Sequence, residues 1–314
     1  MFSRLVLAAT AVFVSVVTPL AAHAVTLQVN CDQPNSKLPT IGAALKIVNT
    51  VIGNLGSNTI EVTGACKENI TLNAVSNLTL TAKNGASITD ASGGTTPVIT
   101  VTESTNIGLN GFAIRGGGGA FRAAIDCDLN STCYLSNNNV QITNGLAVAV
   151  VQGAYARLDH DVLEQSANGL GVAGGSRATT VGATMRNNTL VGAFFFANSF
   201  GLITASTTIE NNGTGGIAAR EHSSLQVSDT TITGNGGPGV MVFNASEVWF
   251  FSVAAGSTIS GNGSGVSVGD LSFASFVQPI AVSGNTTQPD ILCWGHFSAA
   301  TNNVGTIGST NCPP

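Results

Sequence analysis

Ile209-Glu210-Asn211-Asn212 followed by Gly216-Ile217, Ile232-Thr233-Gly234-Asn235 followed by Gly239-Val240, and Ile259-Ser260-Gly261-Asn262 followed by Gly265-Val266 are copies of one pattern. Each opens on a β-branched residue, passes through a polar run rich in Asn and Gly, and restarts at a Gly-aliphatic pair. With a looser copy around Val282 and Asn285, the opening residues are spaced by 23, 27 and 23. A repeat of that length with few helix formers predicts a β-solenoid, whose coils cover their apolar faces only by stacking on one another.

The pattern extends toward the N-terminus through Ile142, Leu163 and Met185, at spacings of 21, 22 and then 24 to Ile209. Aligned on the Gly-aliphatic pairs, each coil reads as a first strand, a second such as Leu225-Gln226-Val227, and a third ending at the residue that opens the next copy. Inward positions then stack aliphatic on aliphatic. Asn and Gly tolerate left-handed corners, and an Asn can bond the Asn of the neighbouring coil. The region from Ile70 to Asn285 has room for about nine or ten coils, a rod ~45 Å long at about 4.8 Å per coil.

The flanks differ. Arg4, the uncharged run Leu5 to Val17 and Ala22-His23-Ala24 form the three parts of a secretory leader, with cleavage before Val25. The run is too short to cross a bilayer, and no later stretch is long and uncharged enough. Ile41, Leu45, Val48 and Ile52 recur at helical spacing, with Thr40 as N-cap and Gly56 as stop, so a short helix should lid the first coil. Beyond Val282 the alternation fades. The expected division is a leader over 1–24, an N-terminal cap over 25–58, the parallel β-helix over 59–287 and a C-terminal cap over 288–314.

Six cysteines fall in sequential pairs. In an exported chain they are expected to bridge as Cys31 to Cys66, Cys127 to Cys133 and Cys293 to Cys312, the first and last clamping the two ends. Charged residues make up 9% of the chain and the net charge is −5, which argues against nucleic acid as a partner because no basic patch would release counterions. A surface of Thr, Ser, Asn and Gly suits neutral hydroxyl-rich ligands and plain solvation equally.

The segment from Asn58-Thr59-Ile60-Glu61-Val62 through Gly64-Ala65-Cys66 to Lys67-Glu68-Asn69-Ile70 resembles the opening coil of the pectin lyase-like right-handed parallel β-helix superfamily. The resemblance implies an all-β, right-handed parallel β-helix. Leu158-Asp159-His160-Asp161, followed by Asn168-Gly169-Leu170-Gly171-Val172, is similar to the calcium-binding coils of pectate lyases, yet Asn168 and Gly171 stand where carboxylates are expected. Calcium prefers several charged oxygens, so no cofactor is expected, with calcium as the alternative. The lyases' Arg-x-Pro-x-x-Arg type segment has no counterpart, and neither does the aspartate set of a polygalacturonase.

Arg157-Leu158-Asp159-His160-Asp161 is the densest polar cluster. Two carboxylates flanking an imidazole can share acid and base work, which makes Asp159, His160 and Asp161 the candidate catalytic residues. Leu158 should point inward, placing the other three at the corner between the second and third strands, where solvation alone would explain them. Phe194-Phe195-Phe196 and Trp249-Phe250-Phe251 must each leave a ring outside the solenoid. Trp249 and Phe195 are taken as the candidate ligand-binding rings, because sugars are commonly gripped by stacking on aromatic faces. Arg220-Glu221-His222, at the corner between first and second strands, and Asp126-Cys127-Asp128 are lesser polar clusters. The expected function is that of a secreted (periplasmic or extracellular), monomeric, non-catalytic module contacting polysaccharide or another surface. The alternative is a polysaccharide lyase or glycoside hydrolase.

Overall fold

A computed structural model describes residues 24–52, 56–118, 123–142, 144–252, 254, 256–277, 280–287, 289–294, 298–301 and 306–312. The leader expected over residues 1–24 lies outside this range except for Ala24, as do Gly295, His296 and Phe297 of the C-terminal segment. The chain winds as a parallel β-helix, each coil giving one strand in turn to a first, a second and a third sheet. Among the described residues these sheets hold ten, twelve and eleven strands. One coil is Asn168–Val172, Arg177–Val181 and Thr184–Arg186.

Alternation along each strand sends one set of side chains inward, where parallel register stacks like on like. In the third sheet Val140, Leu163, Met185, Ile209, Ile232, Ile259 and Val282 form one buried column. All but the first are the opening residues of the repeat. Val140 holds the place expected for Ile142, which lies two residues further on, with its N–H donated to Ser166 Oγ. Each fully buried aliphatic side chain contributes roughly 1.5–3 kcal/mol.

The corners explain the Asn and Gly content, and they divide two jobs that the sequence assigns to one residue. Between the third and first sheets, Asn187, Asn211, Gly234, Gly261 and Gly284 take the left-handed conformation. The residue after each, Asn188, Asn212, Asn235, Asn262 and Asn285, is buried in a ladder. Each ladder Asn donates its backbone N–H and an Nδ2–H to Oδ1 of the next, as from Asn212 to Asn235 at 3.0 and 2.9 Å. The other Nδ2–H goes to a carbonyl, Met185 O in that case. Asn285 donates both groups to the carboxylate of Asp290, which ends the series.

Between the first and second sheets the corner is a pair of left-handed residues, among them Gln152-Gly153, Ala197-Asn198, Glu221-His222 and Asn244-Ala245. The second residue of each pair donates its N–H to the first of the next coil, as Asn198 does to Glu221 O and His222 to Asn244 O.

Both ends are closed. Helix α1, Ile41–Ile47, starts with Thr40 Oγ1 accepting the Ala43 N–H, then passes into a π-type turn at Val48–Ile52. Ile41, Ala44 and Leu45 join the core, and the Glu68 carboxylate accepts the Ile41 and Gly42 N–H groups at 2.8 and 2.9 Å. At the far end Ile291–Trp294, Ser298–Thr301 and Thr306–Ile307 add a strand to each sheet, so the segment expected only as a cap also extends the solenoid. Disulfides join Cys31 to Cys66, Cys127 to Cys133 and Cys293 to Cys312. Cys127 and Cys133 are fully buried and tie a first-sheet strand to a second-sheet strand across one corner. Among the described residues, no helix is long and apolar enough to cross a membrane.

Candidate functional site

The outward positions of the second sheet form columns with one residue per coil. One column runs Tyr134, Arg157, Thr179, Leu202, Gln226, Trp249. Beside it runs Tyr155, Arg177, Phe200, Ser224, Glu247, Phe273. Tyr134 and Trp249 are 42% and 40% exposed, each braced edge-on by a neighbour: Tyr155 at 6.4 Å and Phe273 at 5.9 Å. Arg177 is exposed; its backbone N–H donates to Ala154 O, while its guanidinium makes no hydrogen bond or ion pair among the described residues. From Tyr134 to Trp249 is five coil steps, about 24 Å along the rod. The face offers flat apolar rings interspersed with cations, a chemistry suited to stacking on sugar rings and bonding their hydroxyls.

At the corner beside this face lie Asp159, His160 and Asp161, and their environments separate them. Asp159 Oδ1 accepts from His160 Nδ1 at 2.6 Å, and its Oδ2 lies 3.4 Å from Arg157 Nη2. His160 is left-handed and largely exposed, its ring lying over Gly182, where a Cβ would meet Cδ2 and Nε2. Asp161 is buried. Its Oδ1 accepts both the backbone N–H and an Nδ2–H of Asn138 at 2.8 Å, and its Oδ2 accepts the Asp159 N–H at 3.0 Å. Burial pushes its carboxyl pKa up to about 7, against the pull of the Asn138 bonds. Asn138 Oδ1 in turn accepts the Phe112 N–H. Asp161 therefore ends a short amide series in the same manner as Asp290, turned into the protein rather than toward a substrate.

The third sheet's outer face is polar in a different way. Glu164 accepts from Asn139 Nδ2 at 2.8 Å, Gln141 Nε2 at 2.9 Å and Arg186 Nε at 2.9 Å. Burial opposes its charge, but these bonds hold its carboxyl below the usual range. Arg115 donates to the carbonyls of Ile114 and Asn139.

The profile of the family described as "Right handed beta helix region" matches residues 123–287. The chain belongs to the right-handed β-helix family. Among solved structures, pectate lyase Pel9A is similar at 13% identity and a TM-score of 0.55, over 94% of this chain and 80% of that one. The mannuronan C-5 epimerase AlgE4 A-module of Azotobacter vinelandii is similar at 10% identity and a TM-score of 0.41, over 82% and 91%. Pectin methylesterase PemA from Erwinia chrysanthemi is similar at 10% identity and a TM-score of 0.38, over 90% of each chain. No curated protein sequence matches the chain. The fold is that of the pectin lyase-like superfamily.

Within this right-handed β-helix, calcium does not fit the coil that resembles a lyase's. Asp159 ends a second-sheet strand, whereas Asn168 and Gly171 belong to a first-sheet strand. The oxygens of Asp159 face His160 and Arg157, and those of Asp161 face N–H donors, so neither is disposed toward a cation. Phe195 requires correction as a ligand-binding ring, since it is 0% exposed. Its register partner Ala219 is also inward, and pleat alternation turns Phe194 and Phe196 out instead. Trp249 does face outward, with Phe250 beneath it in the core. Tyr134, Tyr155, Arg177, Phe200 and Phe273 escaped sequence reasoning. Aligning them on Leu225-Gln226-Val227 places all five at outward positions.

Proposed function

We propose that this chain is an exported, non-catalytic β-helical module that holds polysaccharide along the outer face of its second sheet. The row of outward rings interleaved with Arg157 and Arg177 over successive coils carries this reading. Ring faces favour the C–H faces of sugars, guanidinium groups favour their oxygens, and the coil repeat presents both at regular intervals. A pectate lyase has a similar fold, so the scaffold is compatible with such a ligand. The three disulfides and the leader pattern at residues 4–24 support export to the periplasm or beyond. Retention of the purified protein on a panel of insoluble polysaccharides tests the proposal. At least one should retain it, and Tyr134→Ala with Trp249→Ala should release it. Binding that ignores both substitutions would refute it.

A second reading rests on the 2.6 Å contact of His160 Nδ1 with Asp159. An imidazole so oriented can accept a proton through Nε2, as a lyase or hydrolase requires. Release of unsaturated or reducing sugar, lost in His160→Ala but with retention intact, would favour an enzyme over a binding module.

A further inference from the structure

We propose that the outer face of the first sheet pairs with the same face of a second copy of the chain, the two rods running in opposite directions. The result is a dimer in place of the monomer expected from the sequence. It goes beyond the second-sheet reading and does not depend on it. One residue past the inward Cys127, Val150, Val172, Phe195 and Ala219 come Asp128, Val151, Ala173, Phe196 and Arg220, one outward column over five successive coils. The column has an acid at one end, a base at the other and apolar side chains between. Beside it run Asp126, Ala149, Gly171, Phe194 and Ala218, whose one charge stands at the same acidic end.

Neither end of the first column is neutralised within the chain. The guanidinium carbon of Arg220 lies 4.5 Å from the Phe243 ring centroid and 5.8 Å from that of Phe194, and its Nε is buried with no hydrogen-bond partner. Among the described residues, its terminal nitrogens have neither a hydrogen bond nor an ion pair. Asp128 Oδ1 accepts the Leu129 N–H at 2.7 Å, and among the described residues Asp128 has no ion pair. Four coil steps, about 19 Å, hold the two charges apart. That is roughly two Debye lengths at physiological salt, too far for them to serve one another.

A second copy removes the separation. A two-fold axis lying in the interface, parallel to the strands at the level of Ala173, reverses the order of coils and sets each Asp128 against Arg220 of the other copy. The same operation places Phe194 and Phe196 of one copy opposite Ala149 and Val151 of the other, bulky against small. At the axis Leu146 leans over Gly171, where a Cβ would meet its Cδ2, so both copies offer a leucine to the middle of the seam. An isologous interface requires a patch that complements itself, with an apolar centre and charges that fix the register at its rim. A peptide strand finds no edge here, because these strands are already paired on both sides. An anionic membrane would meet Asp126 and Asp128 on a chain of net charge −5. The corner residues Ala197-Asn198 and Glu221-His222 separate this face from the second sheet, whose rings stay open in the dimer.

Sedimentation equilibrium of the purified protein over a range of concentrations is the test. The wild type should be a dimer that dissociates more readily as salt is raised. Arg220→Asp and Asp128→Arg should each weaken it at least about tenfold, because each sets like charges together at both ends of the seam. An equimolar mixture of the two variants should restore the dimer, since one copy then brings two acids and the other two bases. Should Arg220→Asp fail to fold, Asp128→Arg decides through its own loss of the dimer. A wild type that is monomeric up to about 100 μM, or a dimer untouched by Asp128→Arg, would overturn the proposal. So would a mixture of two folded variants no tighter than its components, or flotation of monomeric protein with phosphatidylcholine vesicles, which would give the face to lipid.

Discussion

The outer faces of the third and second sheets both carry arginines and carboxylates on the same regular scaffold, yet they spend them differently. On the third sheet Glu164 is saturated by Asn139, Gln141 and Arg186, and Arg115 by backbone carbonyls. On the second, the Arg177 guanidinium has no partner among the described residues, and Tyr134 and Trp249 stand open to solvent. A polar group satisfied within its own coil stack serves the fold, whereas one left unspent beside an exposed ring is available to a ligand. The corner cluster divides along the same line, with Asp161 consumed internally and His160 exposed.

The largest expected effect sharpens that division. Asp161 has a pKa raised by burial to about 7, so folding favours its protonated form. Its contribution is whole below the pKa of an unfolded aspartate, about 4, and is lost as pH rises through 7, a swing on the order of 4 kcal/mol. Guanidinium unfolding should show lower stability at pH 8 than at pH 5, and Asp161→Asn should flatten that slope. An unchanged slope would reassign the proton to another group.

Next in size, Glu164→Ala leaves Arg186, Asn139 and Gln141 without their shared acceptor and should cost about 2 kcal/mol, with polysaccharide retention unchanged. Loss of retention at constant stability would erase the contrast between the faces. Trp249→Ala should do the opposite: stability within about 0.5 kcal/mol of wild type, and retention about tenfold weaker in affinity gels. The smallest effect lies at the corner shared by the first and second sheets, where Ala197 is held at φ 54°. Ala197→Gly should relieve that conformation and raise stability by up to about 1 kcal/mol in thermal melts, leaving ligand binding alone.

Much of the fold is legible in the chain because the coil repeats its own physics. Ile209, Ile232, Ile259 and Val282 recur since each must sit on the one before, and Asn212, Asn235, Asn262 and Asn285 recur since each must bond the next. The site is less legible. Phe195 does not stand apart from its neighbours as the inward ring in the sequence, because three consecutive phenylalanines carry no parity of their own. Counting from Ala193, which pairs with the inward Ile217, supplies it. Asp161 was hidden for another reason. Asp159 and Asp161 are chemically alike in sequence, and only Asn138, some two dozen residues earlier and one coil away, distinguishes the buried carboxylate from the half-buried one. Arg220 gains its setting from Phe194 and Phe243, each a coil away, contacts that no local window contains.

The ladder that runs from Asn188 to Asp290 gives the rod a direction of growth. Each asparagine from Asn212 to Asn262 both takes from the coil before it and hands on to the coil after it, so a whole coil could be duplicated or spliced between any two neighbouring asparagines with the series intact. The carboxylate can take but has nothing to hand on. Insertions beyond Asp290 would have to begin a new series, which makes that residue the natural terminus for any attempt to lengthen or truncate the molecule by whole turns.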